Sequence, residues 1–355
     1  MPAVSFRGVY SYMSDLRLQQ LQQWAEQALQ QAIRIEVVSG DASFRRYFRI
    51  SSDTQVWIAM DAPPEKENSK PFVEIAQQLE RKNVHVPHIQ ALDLERGFML
   101  LEDLGDVQML DKLTKNGAPN PAMAEPHYAD ALRALLHIQT HVDGSKLAVY
   151  DRALLSREMA LFTDWLLGTH LSIELSPADK NILQLSFNAL IASALEQPQV
   201  FVHRDYHSRN LMVLADNSPG IIDFQDAVYG PITYDLVSLL RDCYIAWPRA
   251  QVHSWVANYH NEALLNGLCS CDLPTFQRWF DFMGVQRHLK AIGIFARLNH
   301  RDSKPGYLQD IPRTLTYIET VCVEYEVLKP LGTLLQTLQV RDKFERQQLS
   351  AQSSQ

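Results

Sequence analysis

No stretch of this 355-residue sequence comes near the roughly 18 to 20 consecutive apolar residues of a membrane-spanning helix. Its first residues lack the basic-then-apolar layout of a secretory signal. Positive charge is also in short supply. The 33 Lys and Arg stand against 41 Asp and Glu, a formal net charge of -8, which argues against a nucleic-acid binder. An anionic small ligand is not excluded, because local cations can oppose a global charge. Cysteine is scarce too: Cys243, Cys269, Cys271 and Cys322 show no zinc spacing, and Cys269-Ser-Cys271 is too tight for an ordinary disulfide framework. Reduced thiols are the expectation, and no internal repeat is visible. These absences predict a cytoplasmic protein, a monomer, that engages neither nucleic acid nor membrane.

What is present has the texture of a globular protein, 46% apolar and 21% charged. Residues 14–33 carry Leu18, Leu21, Trp24, Ala25 and Leu29 at helical spacing after a capping candidate at Ser14 or Asp15. "IRIEVVSG", "RRYFRI" and "QVWIAM" then read as three strands, 71–83 as a helix stopped by Pro87, and "GFMLLEDLG" as a further strand. Beyond residue 105 the pattern is mostly helical, near 126–142, 151–168, 178–196, 232–245, 250–267, 273–299 and 310–328. Four segments follow: an N-terminal extension at 1–13, a sheet-bearing lobe at 14–104, a larger helical lobe at 105–339, and a polar tail at 340–355 expected to be disordered.

One region breaks the helical texture. "FVHRDYHSRNLMVL", residues 201–214, sets His203, Asp205, His207 and Asn210 between two apolar runs, and "IIDFQDA" follows. Asp205 and Asn210 are five residues apart, with Asp223 thirteen further on. A hairpin through "ADNSPG" has the turn chemistry to bring Asp223 beside Asn210. Two carboxylates and an amide oxygen then converge, a set that suits a hard divalent cation such as magnesium. A carboxylate left off the metal is placed to take a proton from a hydroxyl nucleophile. Upstream, "SGDASFRRYFRI" sets Gly40 and small residues between two strands, so that backbone N–H groups can approach phosphate oxygens.

The motifs "HRDYHSRN" and "DFQ" resemble the catalytic core of the protein-kinase-like fold, and His207 fits the aminoglycoside-phosphotransferase and choline-kinase branch of it. The resemblance implies an α+β, bilobal fold with a small antiparallel-sheet lobe and a larger helical lobe. It implies Asp205 as catalytic base, His203 as support for the loop, Asn210 and Asp223 as magnesium ligands, and Asp235 as a brace. ATP would then be bound by Gly40, Asp41, Ser43 and Arg46, with the backbone at Glu102 and Leu104 against adenine. One residue of the pattern is missing. The family's third-strand lysine falls on Met60, which leaves Arg45, Arg46 or Arg49, or less directly Lys66 or Lys70, to supply the charge.

The acceptor is written less plainly. Arg241, Arg287 and Arg297 make the helices expected to wall the pocket cationic, which disfavours polycationic aminoglycosides and choline. The longer run of motifs, from "SGDASFRRYFRI" and "MDAPPEK" to "DFQDAVYGPITYDLVSLLRD", is similar to bacterial kinases that phosphorylate N-acetylmuramate and N-acetylglucosamine at C1 in cell-wall recycling. This predicts a small amino sugar as partner, with Arg241 pairing with the muramate carboxylate. The alternatives are a phosphotransferase for another small hydroxyl compound, or a nucleotide-binding pseudokinase scaffold.

Overall fold

A computed structural model describes residues 16–40, 44–216 and 218–353. The chain divides into two compact units: residues up to Gln77 with Pro87–Gly105, and Gln78–Val86 with the chain from Asp106 onward. The expected extension at 1–13 lies outside the described residues.

The first unit is an antiparallel sheet in the order β1-β2-β3-β5-β4, from β1 (Arg34–Gly40), β2 (Arg46–Ser51), β3 (Val56–Asp61), β4 (Ile89–Asp93) and β5 (Phe98–Glu102). Period-2 alternation gives one apolar face: Phe48 and Ile50, Trp57 and Ala59, Phe98 and Leu100. Helix α1 (Leu16–Leu29) packs Leu21 and Ala25 on it. β5, an interior strand, has Phe98 to Leu101 all buried, as a strand covered on both faces requires. β4 is not evident in the sequence because its residues alternate only between partly exposed and exposed. At the β4–β5 turn, Gly97 has φ +72° and a Cβ there would lie 1.9 Å from the Ala62 carbonyl oxygen, so glycine is required. Helix α2 (Lys70–Glu80) begins in this unit and ends in the second.

The second unit opens with α3 (Met109–Leu113), the small hairpin β6 (Thr114–Lys115) and β7 (Ala118–Pro119), and α4 (Pro121–His141). Helix α5 (Arg152–Leu161) runs on into a π-helical segment, Phe162–His170, and α6 (Pro177–Leu195) follows. Four short strands come next: β8 (Gln199–Val202), β9 (Leu211–Met212), β10 (Gly220–Ile221) and β11 (Val228–Pro231). Then come α7 (Thr233–Leu240), α8 (Arg249–Leu265), the 30-residue α9 (Leu273–Asp302), a 3-10 turn Pro305–Asp310, α10 (Ile311–Glu324), α11 (Lys329–Thr337) and α12 (Val340–Ser353). Helix α9 is the centre of this unit. Gly293 lets it approach the end of α5, since a Cβ there would sit 2.4 Å from the Leu161 carbonyl carbon. Being buried along most of its length, α9 also buries Asp281, Gln286, Arg287, His288 and Lys290.

The tail corrects an expectation. Residues 340–353 form α12 rather than a disordered segment. Val340 and Phe344 are buried, Arg341 pairs with Glu319 at 2.7 Å, and the Gln347 side chain donates to the His170 carbonyl at 2.9 Å. Two anchors and these polar contacts hold a helix whose composition alone reads as solvated.

Candidate active site

Two antiparallel pairs define the loops. β8 pairs with β11, Val202 opposite Val228, and β9 pairs with β10, Leu211 opposite Ile221. Phe201, Val202, Leu211 and Ile221 are buried, so the apolar runs fix the ends of loop 203–210 and of the segment beginning at Ile222. The Ile222 amide donates to the Asn210 carbonyl at 3.1 Å, which draws the two loops together.

Asp205, Asn210 and Asp223 stand half-buried at the tip of this arrangement. The Asn210 Nδ2 donates to the Asp205 carbonyl at 2.9 Å and to Asp223 Oδ2 at 3.3 Å, while Gln225 Nε2 donates to Asp223 Oδ1 at 2.6 Å. Arg204 and Asp223 have φ of 77° and 67°, the left-handed region that non-glycine residues enter only when their surroundings force them. Among the described residues no donor is hydrogen-bonded to the Asp205 carboxylate, although its charge is opposed on several sides. Burial alone would raise the Asp205 carboxyl, but Lys290, His207, Arg287 and Arg204 together hold it below the ordinary carboxylate value.

Beneath the tip, buried groups clamp the loop. Asp235 on α7 accepts the amides of His203 at 2.6 Å and Arg204 at 2.9 Å. Its burial pushes its carboxyl up to about 7, against the pull of those two bonds. Asp242, just past α7, accepts the Ser208 amide at 3.0 Å and hydroxyl at 2.5 Å. The Tyr206 hydroxyl donates to the Ala131 carbonyl of α4 at 2.8 Å. The His203 ring donates from Nε2 to the Ile222 carbonyl at 3.1 Å and accepts at Nδ1 from the Asp205 amide at 3.3 Å. Burial lowers His203 to about 4, so the ring is neutral and acts as a spacer between the two loops. Arg204 ion-pairs with Glu158 of α5, which also holds Lys290 at 3.3 Å. Gln286 and Tyr150 bond the same carboxylate, and Lys290 donates to the Tyr234 hydroxyl at 2.8 Å.

The expected residues therefore separate into groups. His203, Asp205, Asn210, Asp223 and Asp235 come together as their spacing predicts. Arg287 is buried on α9, and its charge acts on Asp205, Asp242 and Cys243. Arg241 has a different partner from the substrate carboxylate expected of it: it is buried in an ion pair with Asp281 and lies over the Phe280 ring at 4.6 Å. Arg297 is half-buried further along α9, where Arg301 and Asp302 act on it. Glu158 is missed by sequence reasoning, because nothing near it in the chain marks a polar role. Asp242 has a signal: it is an acidic residue two positions past the end of α7, seven residues after Asp235.

In the first unit, Gly40 ends β1, and Asp41 and Ser43 lie outside the described residues. Tyr47 faces Met60 directly across the β2–β3 pair, so Tyr47, Arg49 and, by alternation, Arg45 share the Met60 face. Arg46 is on the other face, bonded to the buried Asp61 at 2.6 Å, with Arg17 on the same carboxylate. Arg46 thus stands on the face opposite Met60. Arg49 binds Asp103 through two bonds of 2.6 and 3.1 Å, and Arg45 pairs with Glu67 at 3.3 Å. The Glu102 amide donates to the His88 carbonyl at 2.9 Å, and the buried Leu104 follows beyond the strand.

Asn210 and Asp223 fit a magnesium ion by the chemistry of their donor set. A carboxylate and an amide oxygen, held adjacent by their own hydrogen bond, are hard ligands of the kind that cation takes.

Comparison with known proteins agrees with this geometry. The family model described as "Phosphotransferase enzyme family" matches residues 34–269. The N-acetylmuramate/N-acetylglucosamine kinase of Pseudomonas putida is 45% identical over 92% of this chain and 97% of its own length. The protein of that name from Neisseria meningitidis is 40% identical over 86% of this chain and 91% of its own. Among solved structures, Plasmodium vivax ethanolamine kinase superposes with a TM-score of 0.59 at 12% identity, covering 85% of this chain and 86% of that one. Streptococcus pneumoniae choline kinase does so with 0.58 at 10%, covering 84% and 98%. At such identities these two speak for the kinase-like fold alone. With the family model spanning about two thirds of the sequence and relatives near half identity along almost all of it, the chain belongs to the phosphotransferase enzyme family.

Proposed function

We propose that this protein is an ATP-dependent cytoplasmic kinase that phosphorylates the anomeric C1 hydroxyl of N-acetylmuramate and N-acetylglucosamine in peptidoglycan recycling. The acceptor follows from relatives of that name at 40–45% identity over most of the chain. The chemistry rests on one observation: Asp205 stands with Asn210 and Asp223 at the tip of the loops, and among the described residues no donor is bonded to its carboxylate.

In this reading Asp205 takes the proton of the C1 hydroxyl as its oxygen attacks the γ-phosphorus of ATP. Asn210 and Asp223 are the residues that would hold magnesium, which supplies charge neutralisation at the phosphate oxygens. His203 and Asp235 keep the Asp205 backbone in place. Lys290 and Arg204 hold the carboxylate in its proton-accepting form, and Glu158 keeps those two cations from closing on it. Arg287 is the best placed of the three pocket arginines to meet the acceptor, since Arg241 is held by Asp281. Gly40, Asp41 and Ser43 would contact phosphates, and Glu102 and Leu104 the adenine. Arg45, on the Met60 face and paired with Glu67, takes the role of the absent lysine in preference to Arg46.

The test is an acceptor panel with magnesium ATP, read by ADP release. Release with N-acetylmuramate and N-acetylglucosamine, and little with choline, ethanolamine or aminoglycosides, supports the reading. No release with either amino sugar overturns it.

A further inference from the structure

We propose that the corner between α8 and α9 is a binding site for a soft or borderline divalent cation of the zinc class, built by His260, Cys269 and Cys271. It is independent of the phosphotransfer reading. One ring nitrogen of His260 and the two Sγ atoms all lie within 4.8 Å of one another. His260 and Cys269 are buried and Cys271 is half-buried. All three are removed in sequence from the catalytic loop.

The histidine carries the second observation. Its Nε2 lies 2.9 Å from the Cys271 carbonyl, which can only accept, so Nε2 bears the proton. Nδ1 is then a bare lone pair, buried and, among the described residues, without a hydrogen-bond partner. A buried acceptor left unbonded is unfavourable, and a cation satisfies it. Metal-ligating histidines characteristically donate their other N–H to a backbone carbonyl, which fixes tautomer and ring direction. Here that carbonyl belongs to one of the two cysteines. The Phe276 ring, 5.1 Å from the imidazole centroid, excludes water from one side.

The dimensions agree. Zinc bonds thiolate at about 2.3 Å and imidazole at about 2.0 Å in a tetrahedron, which sets the two sulfurs about 3.8 Å apart. Closing from a spread of at most 4.8 Å takes a movement of about 1 Å, and the cysteines lie on the connection between the two helices. Burial raises both thiols, Cys269 to about 11, so each is protonated at neutral pH. Uptake forms two metal–sulfur bonds and one metal–nitrogen bond and releases two thiol protons, so affinity rises with pH. The sequence hides this site, because Cys-Ser-Cys with a histidine nine residues upstream matches no zinc spacing, and helix α8 is what folds His260 back over the cysteines.

The experiment uses the reduced, full-length chain, stripped of metal and titrated with cadmium and then zinc. The expected result is one ion retained per chain after gel filtration, an ultraviolet thiolate-to-cadmium charge-transfer band, and a raised thermal midpoint. All three should be lost in the Cys269→Ser/Cys271→Ser variant while ADP release is unchanged. If that variant fails to fold, zinc should slow iodoacetamide labelling of Cys269 and Cys271 in the native chain, mapped by peptide mass spectrometry. No retained metal, retention undiminished in the variant, or labelling unaffected by zinc overturns the proposal.

Discussion

The tip and the underside of loop 203–210 are built from the same residue types and serve opposite ends. At the tip, Asp205, Asn210 and Asp223 are half-buried, and among the described residues no donor is bonded to the Asp205 carboxylate. On the underside, Asp235, Asp242 and Glu158 are buried, and each accepts two or more hydrogen bonds from the loop or from what holds it. The cost of burying these carboxylates is offset because each of them is hydrogen-bonded. The difference is one of partners: among the described residues the Asp205 carboxylate has no bonded donor, whereas the buried carboxylates beneath it each have two or more.

That comparison is broken most directly by Asp205→Asn. Its expected effect is a fall in kcat of roughly 10²–10⁴-fold in a chain that still unfolds cooperatively, measured by ADP release and equilibrium unfolding on the same preparation. A wild-type rate would place the base elsewhere. Glu158→Gln should do the reverse, since it strands Arg204 and Lys290 without their shared counter-charge. A stability loss of about 3–5 kcal/mol is expected, and urea unfolding that shows no change would mean that the pair of cations has another partner. Asp235→Asn exchanges two charge-assisted bonds for at most one good one and should cost about 1.5–3 kcal/mol. Its kcat should fall while KM stays near its original value, because it positions Asp205 and does not meet the sugar.

The smallest effect is in pH. His203 and His288 are lowered by burial, to about 4 and about 3, from an ordinary 6.5. An unfolded chain takes up those protons near pH 6.5 and the native chain does not, so stability falls as pH drops from 6.5 toward 4. Each buried histidine contributes up to about 1.4 kcal/mol per pH unit in that window. Asp235, raised to about 7, acts in the opposite sense: its contribution is fully present near pH 4 and is lost as pH rises through 7. Urea midpoints at pH 7 and 5.5 should therefore fall on acidification in the native chain, and fall less in His288→Gln. Equal slopes would show that the imidazole of His288 already titrates in the folded state.

How much of this was legible in the sequence follows from distance along the chain. Asp205, Asn210, Asp223 and Asp235 lie within 31 residues, on loops whose ends are set by apolar runs, and their convergence can be read from spacing alone. The helices were visible because α1 and most of the second unit carry long periodic faces. Glu158 and Lys290 are 132 residues apart on different helices, and only α9 crossing α5 brings them together. Arg241 shows the same limit of distance: the sequence marks it as a cation near an expected pocket, and its partner in the fold, Asp281, stands forty residues on. Arg46 is placed by a local rule, because strand alternation turns it from Met60 toward Asp61.

The most direct test of the central claim is phosphorus NMR of the product formed from magnesium ATP and free N-acetylmuramate. The account predicts a phosphate signal split by the anomeric proton, with a mass of the sugar plus one phosphoryl group. A phosphate coupled to any other ring position, or ATP left intact with both amino sugars, would contradict it.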